Sequence, residues 1–216
     1  MKSRLWTLSS CVWILSLVIL ATIYSAWLIY SLEIDFFKLT LQVTFSKDEL
    51  LKNYNILLNY LTNPFISQLS MPDFPSSEKG LKHFSDVKHL FHLTQAIFLI
   101  LLIPSWRFLK NGMKEKSLFL HQKTFAIAAI TPLLVGLVGF FIGFDNFFTL
   151  FHEVLFPGDS TWLFNPATDP IIWVLPEEFF LHCFLIFFVL YEVIMLGLLL
   201  IGRKQLHNQL ENKFES

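Results

Sequence analysis

The chain alternates long apolar windows with polar stretches of unequal length. Four windows, about 6–30, 90–106, 124–144 and 179–201, are apolar enough to form membrane-crossing helices, because about 20 such residues cover roughly 30 Å of hydrocarbon. Allowing each helix polar ends divides the chain into helix 1 (1–32), a polar segment (33–88), helix 2 (89–109), a loop (110–123), helix 3 (124–145), an aromatic loop (146–178), helix 4 (179–202) and a tail (203–216). The pattern predicts an all-α integral membrane protein with four transmembrane helices and a cap.

Local signals fill in the cap. Ser46-Lys47-Asp48-Glu49 is a capping box, with a serine and a glutamate three residues on; it predicts a helix to about Leu61, ended by Asn63-Pro64. Leu50, Tyr54, Leu57, Leu58 and Leu61 share one stripe of that helix, which should lie against the bundle or the lipid interface. The run "LTLQVTF" (39–45) alternates apolar with polar and reads as a candidate short strand, leaving room for a small strand pair. After the turn-rich "MPDFPSSEKG", helical periodicity starts near Leu81 and continues into helix 2. His83, Asp86 and Val87 then stand one to two turns above the apolar part of that helix. In helix 3, Pro132 predicts a kink and Gly139-x-x-x-Gly143 a close helix contact.

The 146–178 loop is too apolar to float in water, with Phe147, Phe148, Phe151, Phe156, Trp162, Phe164 and Trp173, yet prolines at 157, 166, 170 and 176 break it. Irregular backbone at membrane depth must be covered by protein. The loop is therefore expected to dip into the interface beneath the 33–88 segment, with Pro176-Glu177-Glu178 opening helix 4.

Composition strengthens the membrane reading. Only 15% of residues are charged and 54% are hydrophobic, while 25 Phe and 6 Trp help raise the aromatic share to 17%; soluble domains carry roughly 25% charge. A net charge of −1 offers no basis for nucleic-acid binding. The positions of the cations are more telling. Lys2, Arg4, Arg107, Lys110, Lys114, Lys116, Lys123, Arg203, Lys204 and Lys213 flank the helices on one side, while 145–178 has no Lys or Arg and 33–88 balances six Lys against seven acids. The positive-inside rule puts both termini in the cytoplasm and both longer segments outside. Helix 1 is expected to be an uncleaved anchor, its apolar run exceeding a signal-peptide core. Cys11 and Cys183 fall at opposite membrane faces, too far apart for a disulfide.

Two histidines stand out because both are expected at the outer boundary: His83 above helix 2 and His152 in the aromatic loop. Asp86 follows His83 at i+3, and Glu153 is adjacent to His152. Imidazoles titrate near neutrality, so a pair can supply a base and an acid together; the plainer alternative is ordinary interfacial side chains. His89 with His92, or Glu178 with His182, could begin a zinc site, but neither pair has a clear third ligand. Glu192 is an acid inside helix 4, either functional or bonded to a neighbouring helix. No Gly-rich phosphate loop, G-x-S-x-G elbow or Cys/His nucleophile pair occurs in the sequence. Covalent catalysis is thus unsupported, leaving acid–base help and positioning.

The segments "HFSDVKHLF" (83–91) and "FHEVLFPGDSTWLFNPATDPIIWVLPEEFF" (151–180) resemble signature segments of the lipoprotein intramolecular transacylases (Lit), bacterial integral membrane enzymes. The resemblance implies movement of the sn-2 acyl chain of a diacylglyceryl-modified lipoprotein onto the α-amino group of its own N-terminal cysteine, giving the lyso form. It implies His83 and His152 as the catalytic pair, with Asp86, Lys88, Glu153 and Asp169 as supporting or orienting groups. No metal or cofactor is implied, and the expected enzyme is a monomer of the bacterial plasma membrane working on lipoprotein and lipid at the outer leaflet. Phe84, Phe151, Phe156, Trp162 and Phe164 would form a wall that holds acyl chains and excludes water. The rival readings are a histidine- or metal-dependent lipid hydrolase and a non-enzymatic binding or sensor protein.

Overall fold

The computed structural model describes residues 2–214, which form six α-helices and three short 3-10 helices, with no strand among them. Four helices are long: α1 Lys2–Phe36, α3 Glu78–Lys114, α4 Gln122–Ile142 and α6 Glu177–Phe214. Their most apolar stretches have mean hydropathies from 1.6 to 2.8, yet only 6% to 28% of those residues are buried within the protein. Such apolar surface without protein cover needs lipid as its solvent. The chain is a multi-pass helical membrane protein. The two remaining helices are α2 Lys47–Thr62 and α5 Phe144–Leu155.

The helices overrun the apolar windows because hydrogen bonding continues past the hydrocarbon edge. In α3 it continues through Pro104 as far as Lys114, the proline removing one backbone bond without ending the helix. Two expectations are overturned. Residues 39–45 form no strand: Lys38 takes a left-handed conformation (φ 51°) and Leu39–Leu41 close into a 3-10 turn that buries Leu39. Without a partner strand the alternation has no ladder to join, and one anchored leucine decides the local fold. The segment 146–178 is not irregular throughout either, since most of its first third belongs to α5.

The contacts divide the chain into two units. One comprises the chain up to Leu20, Thr94–Phe141 and the chain from Leu185 onward. Its core gathers Trp13, Ile14, Val18, Leu109, Leu118, Phe125, Tyr191 and Met195. Gln205 ties two turns together, accepting from the Leu118 N–H at 2.8 Å and donating to the Gly112 carbonyl at 3.3 Å. Glycines make close contacts in this unit at Gly112 and Gly136, where a Cβ would come within 2.5 Å of Leu118 and 2.7 Å of Phe188. Gly143, where a close contact was expected, has open space around it; it instead supplies the φ of 83° that separates α4 from α5, a conformation only glycine adopts freely.

The other unit comprises Ala21–Leu93 and Ile142–Phe184. Here α2 begins with the expected capping box: Ser46 Oγ accepts from the Glu49 N–H, and the Glu49 carboxylate accepts from the Ser46 N–H at 2.8 Å. Its predicted stripe is buried. Tyr54 of that stripe stacks on Tyr30 with centroids 3.7 Å apart, and the Tyr30 hydroxyl donates to the Val174 carbonyl at 2.8 Å. Beside them the buried Glu33 carboxylate meets Nδ1 of His182 at 2.9 Å. Tyr30→Phe removes one buried hydrogen bond and orphans the carbonyl, so it is expected to destabilise the protein by about 1–2 kcal/mol. Thermal unfolding in detergent checks this, and an unchanged transition temperature would refute it.

Candidate active site

The site lies wholly in the second unit, where two helices and one turn supply it. α5 forms because Phe144, Phe147, Phe148 and Phe151 recur at helical spacing, and this face packs on Phe180 and Phe184 of α6. That packing fixes the rotation of α5 and turns His152 inward, where it is 9% exposed. Its Nδ1 lies 2.7 Å from the carbonyl of Phe148, one turn back. A carbonyl only accepts, so Nδ1 carries the proton and the neutral ring keeps its lone pair on Nε2. Burial lowers the His152 pKa below the usual imidazole value, the hydrogen bond to Phe148 opposing this in part. The neutral, basic form is the one the pocket favours.

His83 comes from the second turn of α3 and is 7% exposed. The two imidazole centroids are 5.8 Å apart. Nδ1 of His83 is buried with no hydrogen-bond partner among the described residues, which leaves it free for a bound molecule. Aromatic rings enclose the pair. Trp162 stacks on His152 at 4.8 Å and 25°, Phe156 meets His83 edge-on at 5.0 Å, and Phe164 touches both His83 (5.5 Å) and Phe84 (5.3 Å). Phe151, assigned to the same wall from sequence, spans His152 and Phe184 and serves more to seat α5.

The four supporting candidates separate. Asp169, 2% exposed, accepts from the Ser77 N–H at 2.7 Å and from the Thr168 hydroxyl at 2.7 Å, so its carboxylate caps the positive N-terminus of α3. Asp86 accepts from Lys82 at 2.8 Å. Lys88 turns away from the histidines: its ammonium donates to the carbonyls of Asn63 and Ile66 and sits 4.3 Å from the Tyr60 ring centroid, which ties α3 to the end of α2. Glu153 is exposed. Glu178 and His182 do not form a metal pair, since His182 turns to Glu33, and among the described residues no three His, Cys, Asp or Glu side chains converge as ligands.

Sequence reading missed Phe148 and the Lys82–Asp159 pair. Phe148 becomes legible as the i−4 partner of His152 only once 144–155 is known to be helical. Asp159 sits in "PGDST", a turn signature, and its carboxylate accepts from Lys82 and from the Thr161 N–H at 2.8 Å. With Lys82 as the largest cause, these bonds hold its pKa down at about 2.

The fold and this site define a polytopic membrane protein with two facing imidazoles in an aromatic cleft. A family model for the lipoprotein intramolecular transacylase Lit matches residues 4–180, and the chain belongs to that family of acyltransferases. The structure is similar to the in meso structure of the membrane-integral Lit of Bacillus cereus, with TM-score 0.80 and 29% identity over 100% of this chain and 99% of that one. Two variants of the Bacillus cereus protein, with histidine-to-arginine and histidine-to-alanine substitutions, match at TM-score 0.77 and 29% identity; they cover 98% and 96% of this chain and 95% of theirs. No curated protein matches the sequence significantly.

Proposed function

We propose that this protein moves the sn-2 acyl chain of a diacylglyceryl-modified lipoprotein onto the α-amino group of that lipoprotein's N-terminal cysteine, with His152 as the base. The observation that carries the reading is the 5.8 Å imidazole pair in which Nδ1 of His152 is tied to a backbone carbonyl. The α-ammonium, with a pKa near 8, first sheds a proton to solvent. The amine nitrogen then attacks the sn-2 ester carbonyl while Nε2 of His152 accepts its second proton. His83 donates a hydrogen bond to the developing oxyanion. Collapse breaks the bond to the glyceryl oxygen, which takes the proton back from His152 as the amide forms. One proton travels from nitrogen to oxygen, and no cofactor is consumed.

Donor and acceptor are parts of one molecule, so orientation supplies most of the rate, effective molarities in such reactions reaching about 10⁵ M or more. The aromatic wall serves this by folding the substrate and by keeping water from the ester. One chain suffices, and the expected enzyme is a monomer. The distribution of Lys and Arg supports cytoplasmic termini and a site at the outer leaflet, where lipoprotein termini reside.

Mass spectrometry of a diacylated lipopeptide incubated with the purified protein tests the reading. Transfer leaves the total mass unchanged and relocates one acyl group to nitrogen. Release of a free fatty acid would identify a hydrolase instead, and an unaltered peptide would leave a binding protein.

A further inference from the structure

We infer that the Lys82–Asp159 ion pair is a positioning device that keeps the Trp162 indole stacked on His152. The inference deepens the proposed transfer reaction and rests on it. Besides the ring contacts of Phe156 and Phe164, the segment between α5 and α6 is tied to the first turns of α3 by polar contacts at two places. At one, Asp169 caps the helix from a buried position. At the other, Lys82 reaches across from α3 to bind Asp159 while also holding Asp86 at 2.8 Å.

Around the second tie the chain makes a tight turn. Gly158 takes φ 76°, Asp159 Oδ1 accepts from the Thr161 N–H at 2.8 Å, and the Trp162 indole N–H donates to the Asp159 carbonyl at 3.0 Å. Asp159 therefore controls Trp162 through its backbone and is anchored through its side chain. The two roles use different atoms, because Oδ1 makes the turn and Oδ2 meets Lys82.

The stack has two consequences for the base. It shields one face of His152 from water, and it lays a π face against the ring where positive charge forms as Nε2 takes the proton. The two ties differ in kind. Side-chain exposures of 54% for Lys82 and 26% for Asp159 put this pair within reach of salt, whereas Asp169 is sealed. Added salt shortens the screening length to about 3 Å at 1 M, so the exposed tie should loosen alone.

Asp159→Asn separates the roles: the amide oxygen still accepts from the Thr161 N–H, and only the ion pair is lost. The first readout needs no catalysis, namely the rate at which diethylpyrocarbonate modifies His152, mapped by peptide mass spectrometry. Wild-type protein should label slowly in low salt and several-fold faster in 1 M NaCl. Asp159→Asn and Lys82→Met should label fast in both, and the double variant no faster than either single one. The second readout is the lipopeptide reaction, where Asp159→Asn should lower kcat about tenfold with KM little changed, and Lys82→Arg, which keeps the cation, should retain the wild-type rate.

Slow labelling of Asp159→Asn in low salt would overturn the inference, because the pair would then not hold the stack. Fast labelling with an unchanged kcat would equally remove its role in the reaction. Should wild-type protein transfer no acyl group at all, the proposed function fails, and the labelling still decides whether the ion pair holds Trp162.

Discussion

His152→Asn is expected to lower kcat by about 10²–10⁴-fold, the usual worth of a positioned general base. The substitution is chosen for what it keeps. An asparagine amide can still donate to the Phe148 carbonyl that Nδ1 now meets at 2.7 Å, so the helix contact survives while the titrating nitrogen disappears. If the effect came from misfolding, the unfolding temperature would fall with the rate; if from lost chemistry, only the rate falls. His152→Asn retaining more than a tenth of wild-type activity would refute the assignment of the base.

The pH profile adds an independent check. Because burial holds the His152 pKa below the ordinary value near 6.5, the ring is already neutral at pH 7 and its loss of function lies on the acid side of the usual histidine limb. A rise in rate between pH 7 and 8 would then belong to the substrate amine, which titrates near 8. An N-terminally methylated substrate, whose amine pKa differs, should move this upper limb and leave the lower one in place. A single inflection near 6.5, insensitive to the amine, would contradict the environment described for His152.

The helices were legible because they depend on local signals, and the same pattern singled out His83 and His152 as candidates. Apolar length fixes a membrane span wherever the helix falls, and Ser46 with Glu49 specifies the start of α2 with no tertiary help. The geometry between the histidines was not legible in the same way. Sequence put His152 in an irregular loop, since prolines at 157, 166, 170 and 176 weigh heavily against a helix; all of them lie beyond Leu155, where α5 has ended. The four phenylalanines of 144–151 carried the helical period, but in a stretch so rich in aromatics the period competes with plain abundance. The contacts of Lys88 escaped the sequence for a related reason. It lies in the segment that resembles the family, yet its side chain follows the carbonyls of Asn63 and Ile66 just past the end of α2, partners 25 and 22 residues away that spacing cannot reveal.

Gly80→Ala is expected to destabilise the protein by about 1–3 kcal/mol, the usual range for an overpacked site, and to impair transfer as well. Helix propensity alone predicts the opposite sign, since alanine is favoured over glycine by about 1 kcal/mol inside a helix. The contact decides against propensity. A Cβ at residue 80 would lie 2.2 Å from Asp169 Oδ1 and 3.1 Å from its Cγ, and this carboxylate is held by the Ser77 N–H and the Thr168 hydroxyl. It cannot retreat without abandoning the Ser77 N–H at the start of α3. His83 is three residues along the same helix, so a shift of that turn moves the imidazole relative to His152. In an Asp169→Ala background the methyl has room, and Gly80→Ala should there recover its intrinsic benefit. Unfolding temperature and transfer rate of the two single variants and the double variant close the cycle. If Gly80→Ala costs the same stability whether or not Asp169 is present, the steric account is wrong, and the first turn of α3 is not what sets the histidine pair.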